Sequence, residues 1–281
     1  MIKRVPSANF KTQRRNGKGV KTQDDITHAV IRTNTIDSLM IFTNKGKMYR
    51  LLVDDIPVGT NTTKGTSVKG LVEMETNEEP SVIYSIYRDT DAEYVLFVTK
   101  NGLVKKTKLD EYVKTKKKSG VAAITIKEGD ELVSVSLVKE EQIILITEKG
   151  MCIRMNSTEF APASRTTMGL KGITLNPDDK VITALPIRNN DDKLAIFSTQ
   201  GLGKKFSLSE IPAQKRAGKG LICYKAANVA AAALVEDTDS ILILGDKSSI
   251  CISASEIPEQ GRASAGNQII KNSNIISVSK V

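Results

Sequence analysis

Residues 39–50 read LMIFTNKGKMYR: an apolar run, a polar turn at Asn44-Lys45-Gly46, and a second β-prone run ending on a base. Run, tight turn, run is the signature of a β-hairpin, because Gly accepts the positive φ that the turn demands. The pattern recurs. Apolar runs at 39–42, 95–98, 143–146, 194–197 and 241–244 each precede a turn containing Lys45-Gly46, Asn101-Gly102, Lys149-Gly150, Gln200-Gly201 or Lys247-Ser248. Turn positions 46, 102, 150, 201 and 248 lie 56, 48, 51 and 47 residues apart, a period of about 50.

A second landmark follows each hairpin, an acidic or polar residue before an apolar one: Asp55-Ile56-Pro57, Glu111-Tyr112, Glu159-Phe160, Glu210-Ile211-Pro212 and Glu256-Ile257-Pro258. Asn9-Phe10 reads as the same landmark in a unit whose first strand lies before Met1 or is supplied from elsewhere. A polar, basic loop ending in Gly comes next, at Gly19, Gly70, Gly120, Gly172, Gly220 and Gly266, which makes six units. Further strand-like segments, such as 124–126 and 132–138, close each unit. Four short strands per period without an amphipathic helix make a blade, and six blades around an axis make an all-β, propeller-like disc. The expectation is a single domain over 1–281, with its first blade closed by pairing of the N- and C-terminal segments. Two β-sandwich domains are the alternative, but their strands would not repeat with this fidelity.

Composition agrees with a globular chain: 281 residues, 40% hydrophobic and 26% charged, with 4% aromatics and no Trp, so the core is aliphatic. No apolar run approaches the roughly 18 residues of a membrane span. The basic N-terminus lacks the apolar stretch of a signal peptide, and Cys152, Cys223 and Cys251 are too few and scattered for a disulfide framework. A reducing, cytoplasmic setting is expected.

A formal charge of +9 favours a polyanionic partner only if the cations are organised. Aligning the second strands places Lys3-Arg4, Arg50, Lys105-Lys106, Arg154 and Lys204-Lys205 in one register, with Ile252-Ser253 leaving the stripe open on one side. A convex arc of charge on a rigid disc suits duplex DNA, which carries one phosphate per roughly 1.7 Å of axis. Strand lysines kept for solubility are the plainer reading, and repetition at one register counts against it. The loops add Gln13-Arg14-Arg15-Asn16-Gly17-Lys18-Gly19 and its near copy Gln214-Lys215-Arg216-Ala217-Gly218-Lys219-Gly220, with Lys116, Lys117 and Lys118 thickening the third loop. Glycines in such strings let backbone N–H groups approach phosphate.

No catalytic constellation stands out. The single His28 excludes any two-histidine metal site, there is no C-x-x-C pair, and Lys18 and Lys219 lack the context of a phosphate-binding loop. Glu73, Glu75, Glu78 and Glu79 read as a solvated acidic loop. Low aromatic content argues against single-strand binding by stacking, and no recognition helix is visible. No metal or cofactor is expected.

The string at 13–19, with IKRVPSANFKTQRRNGKGV and LMIFTNKGKMYR around it, resembles the C-terminal domain of the DNA gyrase A subunit, whose box reads Gln-basic-Arg-Gly-Gly-basic-Gly. The likeness covers essentially the whole chain. It implies a six-bladed β-pinwheel, a propeller relative with a different strand order, that wraps duplex DNA around its rim with little base specificity. Gln13, Arg14, Arg15, Asn16, Gly17, Lys18 and Gly19 would form the box. Asn16 departs from the family Gly, and Asn tolerates the left-handed conformation better than other non-Gly residues. By the same likeness the chain is an excised fragment whose parent carries its active tyrosine elsewhere and works with an ATPase B subunit. The related topoisomerase IV A subunits have degenerate boxes, and that parent stays open, as does a propeller-type protein-interaction module.

Overall fold

Each of the five hairpins forms where the sequence places it, and the chain's repeat becomes a repeat of sheets. The computed structural model describes residues 1–7, 27–60, 62–87, 90–114, 119–225 and 228–281. In chain order the strands are β1 (Ser38–Thr43), β2 (Lys47–Leu52), β3 (Pro80–Ile86), β4 (Tyr94–Thr99), β5 (Leu103–Lys108), β6 (Val121–Ala122) and β7 (Leu132–Val138). They continue as β8 (Gln142–Thr147), β9 (Met151–Asn156), β10 (Leu170–Lys171), β11 (Val181–Ile187), β12 (Lys193–Ser198), β13 (Leu202–Ser207), β14 (Leu221–Ile222) and β15 (Val229–Val235). The last are β16 (Ser240–Gly245), β17 (Ser249–Ser253), β18 (Asn267–Gln268) and β19 (Ile275–Lys280).

Among the described residues there are five sheets, in the orders β3-β1-β2-β6, β10-β5-β4-β7, β11-β8-β9-β14, β15-β12-β13-β18 and β17-β16-β19. Four have four strands and the last has three, so five of the six expected blades stand among the described residues. A hairpin and the long strand that follows it come from one unit, whereas the short outer strand is lent by the next: β6 pairs with β2, β10 with β5, β14 with β9 and β18 with β13. Neighbouring blades are therefore joined by backbone hydrogen bonds as well as by packing. The long third strands line the inner side, β7 packing against β3 and β11, and β15 against β11 and β19.

First strands are buried along their whole length because each sheet is covered on both faces by its neighbours. One hydrophobic cluster fills each space between blades. Met40, Phe42 and Met48 meet Val95 and Phe97 between the first two, with Phe42 and Phe97 edge to face at 5.3 Å. Corresponding clusters follow between the second and third, third and fourth, and fourth and fifth sheets. Every long-strand pairing also carries a register shift where the first strand ends, at Phe42/Thr43, Val98/Thr99, Val181/Thr183, Phe197/Ser198 and Leu244/Gly245.

The start of the chain lies beside the first sheet, and residues 28–33 link the last sheet to the first. Ile2 and Arg4 bridge to Thr66 and Val58 beside the first sheet. Val30 packs with Val281 on the last sheet, the Ser277 hydroxyl donates to His28 O at 2.7 Å, and Thr33 and Ser85 share a hydroxyl bond at 2.7 Å.

Hairpin turns depend on Gly46, Gly102, Gly150 and Gly201, held at φ 71°, 80°, 81° and 83°. A Cβ at Gly150 would stand 2.2 Å from Tyr224 O, backbone that cannot yield. Gly150→Ala is therefore expected to lower stability by about 2 kcal/mol or more. A thermal melt checks this; a midpoint within 1 °C of wild type, on the order of experimental error, would contradict it.

Candidate nucleic-acid interface

The basic stripe is real as a register and different in direction. Arg4, Lys106, Arg154 and Lys205 make the same parallel bridge to the residue two past the next landmark: Val58, Pro162, Ala213 and Glu259. Their charged heads continue along that path into the landmark turn of the following unit. Arg4 Nη2 donates to Asp54 O at 3.0 Å, Arg50 Nη1 to Val113 O at 3.0 Å, and Lys106 Nζ to Ser157 O at 3.1 Å. Arg154 Nη1 donates to Leu208 O at 3.0 Å, and Lys205 Nζ to Ala254 O at 2.7 Å. These are single helical turns, and at Ser157, Leu208 and Ala254 the cation adds a second bond to the oxygen that already accepts the turn's closing N–H, from Phe160, Ile211 or Ile257.

The expected outward arc is corrected accordingly. Lys105, Lys106, Lys204 and Lys205 are 2%, 4%, 0% and 3% exposed. Their ammonium groups face protein carbonyls rather than solvent, and burial pushes the Lys105 and Lys204 groups down to about 8. Arg50 alone of the stripe is exposed, Lys3, Arg4 and Arg154 being half-buried. The gap in the stripe falls at Cys251 rather than at Ile252, because the last hairpin turn is one residue shorter: Leu244 faces Ser249 where Phe197 faces Gly203.

The outer loops present the free charge. Each begins where a backbone N–H meets the stripe residue: Gly59 N donates to Arg4 O, Ala163 N to Lys106 O, Gln214 N to Arg154 O and Gln260 N to Lys205 O, at 2.7–3.0 Å for this set. Six residues later each loop reaches a glycine, Gly65, Gly169, Gly220 or Gly266. Gly70 and Gly172 are thus not loop ends; Gly70 lies in a helical turn and Gly172 N donates to Gly102 O. In loop 214–220, Lys215, Arg216 and Lys219 carry the charge, and neither Lys215 nor Lys219 has a salt bridge among the described residues. Gln13 through Gly19 and Lys116, Lys117 and Lys118 lie outside the described residues.

The same register brings Arg165 and Arg262 level with Arg216, and counting back from Gly172 misses Arg165. Arg216 N and Arg262 N donate to Glu159 and Glu210 carboxylates at 3.0 and 2.8 Å, and Arg165 pairs with Glu111 at 3.8 Å. The landmark acid thus holds the next unit's loop. Counting from the landmark instead finds both arginines. Ala217, level with Asn16, sits at φ 65°, a conformation that favours Gly and explains the family's Gly at that place.

The acidic loop is corrected too. Glu78 is fully buried, accepting from the Thr43 hydroxyl at 3.0 Å, from Glu75 N at 3.0 Å and from the Tyr49 hydroxyl. Desolvation pushes its carboxyl up, but these hydrogen bonds outweigh that and hold it below the usual carboxylate range. Cys152, Cys223 and Cys251 are free and buried, as small apolar side chains would be.

A family model for the DNA gyrase C-terminal domain, beta-propeller, matches residues 1–27, 37–78, 93–139, 141–188, 192–241 and 252–275. The chain belongs to the DNA gyrase C-terminal domain family. It is 33% identical to the DNA gyrase A protein of Lawsonia intracellularis over 96% of its length, and 33% identical to that of Clostridium acetobutylicum over 100%. It spans 34% and 35% of those two relatives. A solved DNA gyrase A C-terminal domain superimposes with a TM-score of 0.83 at 26% identity, covering 99% of this chain and 95% of that one. A solved DNA topoisomerase IV C-terminal domain gives 0.77 at 27% identity, covering 90% and 82%. Among the described residues no helix is long and apolar enough to cross a membrane.

Within this gyrase-family disc, stripe and loop cations are expected to separate by stability. Arg154→Ala leaves Leu208 O without its cationic donor and should cost about 1–3 kcal/mol, whereas Lys215→Ala should stay within about 0.5 kcal/mol. Chemical denaturation of the two variants checks this, and equal effects would contradict it. Ala217→Gly should raise stability by about 1 kcal/mol by relieving the left-handed conformation, read as a higher melting midpoint.

Proposed function

We propose that this chain is the non-catalytic, duplex-DNA-wrapping domain of a gyrase A protein. Loop 214–220 carries the reading: it presents Lys215, Arg216 and Lys219 at the register where Gln13–Gly19 stands in the first unit. Duplex DNA would follow the outer loops from blade to blade, with Arg14, Arg15, Lys18, Lys116, Lys117 and Lys118 as further contacts. Many phosphate contacts offset the several kcal/mol that bending a duplex costs, and they confer little base specificity. A six-bladed pinwheel is supported by the six matched segments of the family model and by residues 1–5, where Arg4 makes the bridge that second strands make elsewhere. Residues 1–5 would then be the second strand of the first unit.

In the parent enzyme the wrapped segment would supply chirality, while the rest of the A protein cleaves DNA through a tyrosine and a B protein hydrolyses ATP in the cytoplasm. This chain needs no cofactor for its part. The departure at Asn16 and the likeness to a topoisomerase IV C-terminal domain favour a second reading, in which the disc selects DNA geometry for that enzyme.

If six to ten phosphates are neutralised, log K should fall with log salt at a slope of roughly −5 to −9, and affinity should rise with duplex length. The triple variant Lys215→Ala, Arg216→Ala, Lys219→Ala should lower that slope by about 2–3 with an unchanged melt. Salt-insensitive binding, or equal affinity for a 12-mer and a duplex spanning the rim, on the order of 100 base pairs at most, would overturn wrapping. In the full-length parent, replacing Arg14, Arg15 and Lys18 by Ala should abolish negative supercoiling and leave relaxation; retained supercoiling would favour the topoisomerase IV reading.

A further inference from the structure

Alternate units carry a lysine just before the stripe residue: Lys3, Lys105 and Lys204 share a register with Tyr49, Ile153 and Ile250 between them. Lys105 Nζ donates to Ala123 O at 2.8 Å, Arg165 O at 2.7 Å and Thr167 O at 3.4 Å. Lys204 Nζ donates to Gly261 O at 2.9 Å and Arg262 O at 2.5 Å. Each ammonium lies near aromatic rings, Lys105 over Phe97 at 5.4 Å and Lys204 over Phe206 at 5.0 Å and Tyr224 at 5.5 Å. Among the described residues neither forms a salt bridge. A buried cation is thus held by loop carbonyls alone, directly beneath the two arginine-bearing loops.

That arrangement turns the loops inside out. All described peptide bonds are trans, so a carbonyl drawn inward places the next residue's N–H on the opposite side. The N–H groups of Thr166, Met168 and Ala263 therefore point away from the ammonium, on the outer side of their loops. Arg262 N, set outward by the same geometry, already has an anion as partner, the Glu210 carboxylate at 2.8 Å. Thr167 N and Ser264 N turn back to Ser164 O and Gly261 O, so the outward N–H groups stand singly beside the Arg165 and Arg262 side chains as donors for an oxyanion.

We propose that Lys105 and Lys204 are positioning residues of the DNA interface, holding the N–H groups of Thr166, Met168 and Ala263, with the Arg165 and Arg262 side chains, toward phosphates of the duplex. This rests on the wrapping function proposed above. Neither lysine touches DNA; each acts through the loop over it. A phosphate seated above stabilises the ammonium, so DNA binding and protonation favour one another.

Burial is the main cause that lowers both ammonium groups to about 8. Glu111 and Arg165 face Lys105 with opposing effects, and the Tyr112 hydroxyl donates to the Ala123 carbonyl that Lys105 also uses. Lys204 is faced by Cys223, Glu210 and Cys152, which favour its charge, and by Arg262, which opposes it. Their values in the unfolded chain lie higher, so between about pH 8 and 10.5 the unfolded state binds more protons and stability rises with pH. DNA affinity moves the other way, which separates its loss from unfolding.

The test is duplex affinity at fixed salt between pH 7 and 9.5 for wild type and for Lys105→Met, Lys204→Met and the double variant. Wild-type affinity should fall by about tenfold across that range, a proton linkage that exposed lysines and arginines, charged throughout, do not give. The double variant should bind more weakly at pH 7 with a flat profile. A wild-type protein that fails to bind duplex at pH 7 overturns the wrapping reading itself. Binding with one profile for wild type and double variant overturns the positioning role alone. Should the double variant lose its cooperative melt, the wild-type profile decides, and constant affinity from pH 7 to 9.5 overturns the proposal.

Discussion

The disc depends on one recurrent hydrogen bond, from a cation on the second strand of one unit to a carbonyl in the landmark turn of the next. A single helical turn such as Ser157–Glu159 or Leu208–Glu210 closes on one backbone bond, from Phe160 N to Ser157 O or from Ile211 N to Leu208 O. A cation from the neighbouring blade adds a charge-assisted bond to such a turn, contributing about 1.5–3 kcal/mol. Arg4, Arg50, Lys106, Arg154 and Lys205 supply the donors. Because donor and acceptor belong to successive units, the bond fixes the angle between blades as well as their contact. The short lent strands β6, β10, β14 and β18 work in the same direction, so each blade is completed only when the next has folded beside it.

This changes which charges face a partner. A formal +9 spread over a disc suggests a broadly basic surface, but the most regular set of cations is turned inward. Outward cations stand on hairpin turns, as Lys45, Lys149 and Lys247 do, and on the loops that begin at Gly59, Ala163, Gln214 and Gln260, each started by a hydrogen bond to the stripe residue beneath it. The stripe therefore sets where the loops stand. Loop spacing around the rim follows from blade spacing, and a polyanion that contacts successive loops meets the geometry that the inward cations impose.

Much of this architecture is legible in the sequence because its signals are local. Alternating apolar runs with Gly46, Gly102, Gly150 or Gly201 between them leave little choice but a hairpin, and the period joins the hairpins into blades. The register of Arg154 with Lys205 follows from the same count. The direction of their side chains does not, since a strand position can turn its charge to solvent or to a neighbour whose placement is tertiary. Glu78 is unreadable for a related reason: four acids in seven residues look solvated until Tyr49 and Thr43, from a hairpin about 30 residues earlier, are seen to enclose one of them. Cys251 replaces Ile252 at the gap because a one-residue shortening of a turn leaves hydropathy unchanged while moving every later position.

The junction between the last and first sheets is built differently from the others. Elsewhere inner strands pack on inner strands, β7 on β3 and β11, and β15 on β11 and β19. Between β19 and β3 the segment 27–34 intervenes, joined to the last sheet through Val30 and His28 O and to the first through Thr33, with the Tyr87 hydroxyl donating to Arg32 O at 3.5 Å. Among the described residues this link consists of side-chain hydrogen bonds, each contributing about 1 kcal/mol, and of Val30 packed on the last sheet. The other junctions combine a filled hydrophobic cluster, a lent strand and an inward cation, whereas here a segment from the early part of the chain bridges the last sheet to the first.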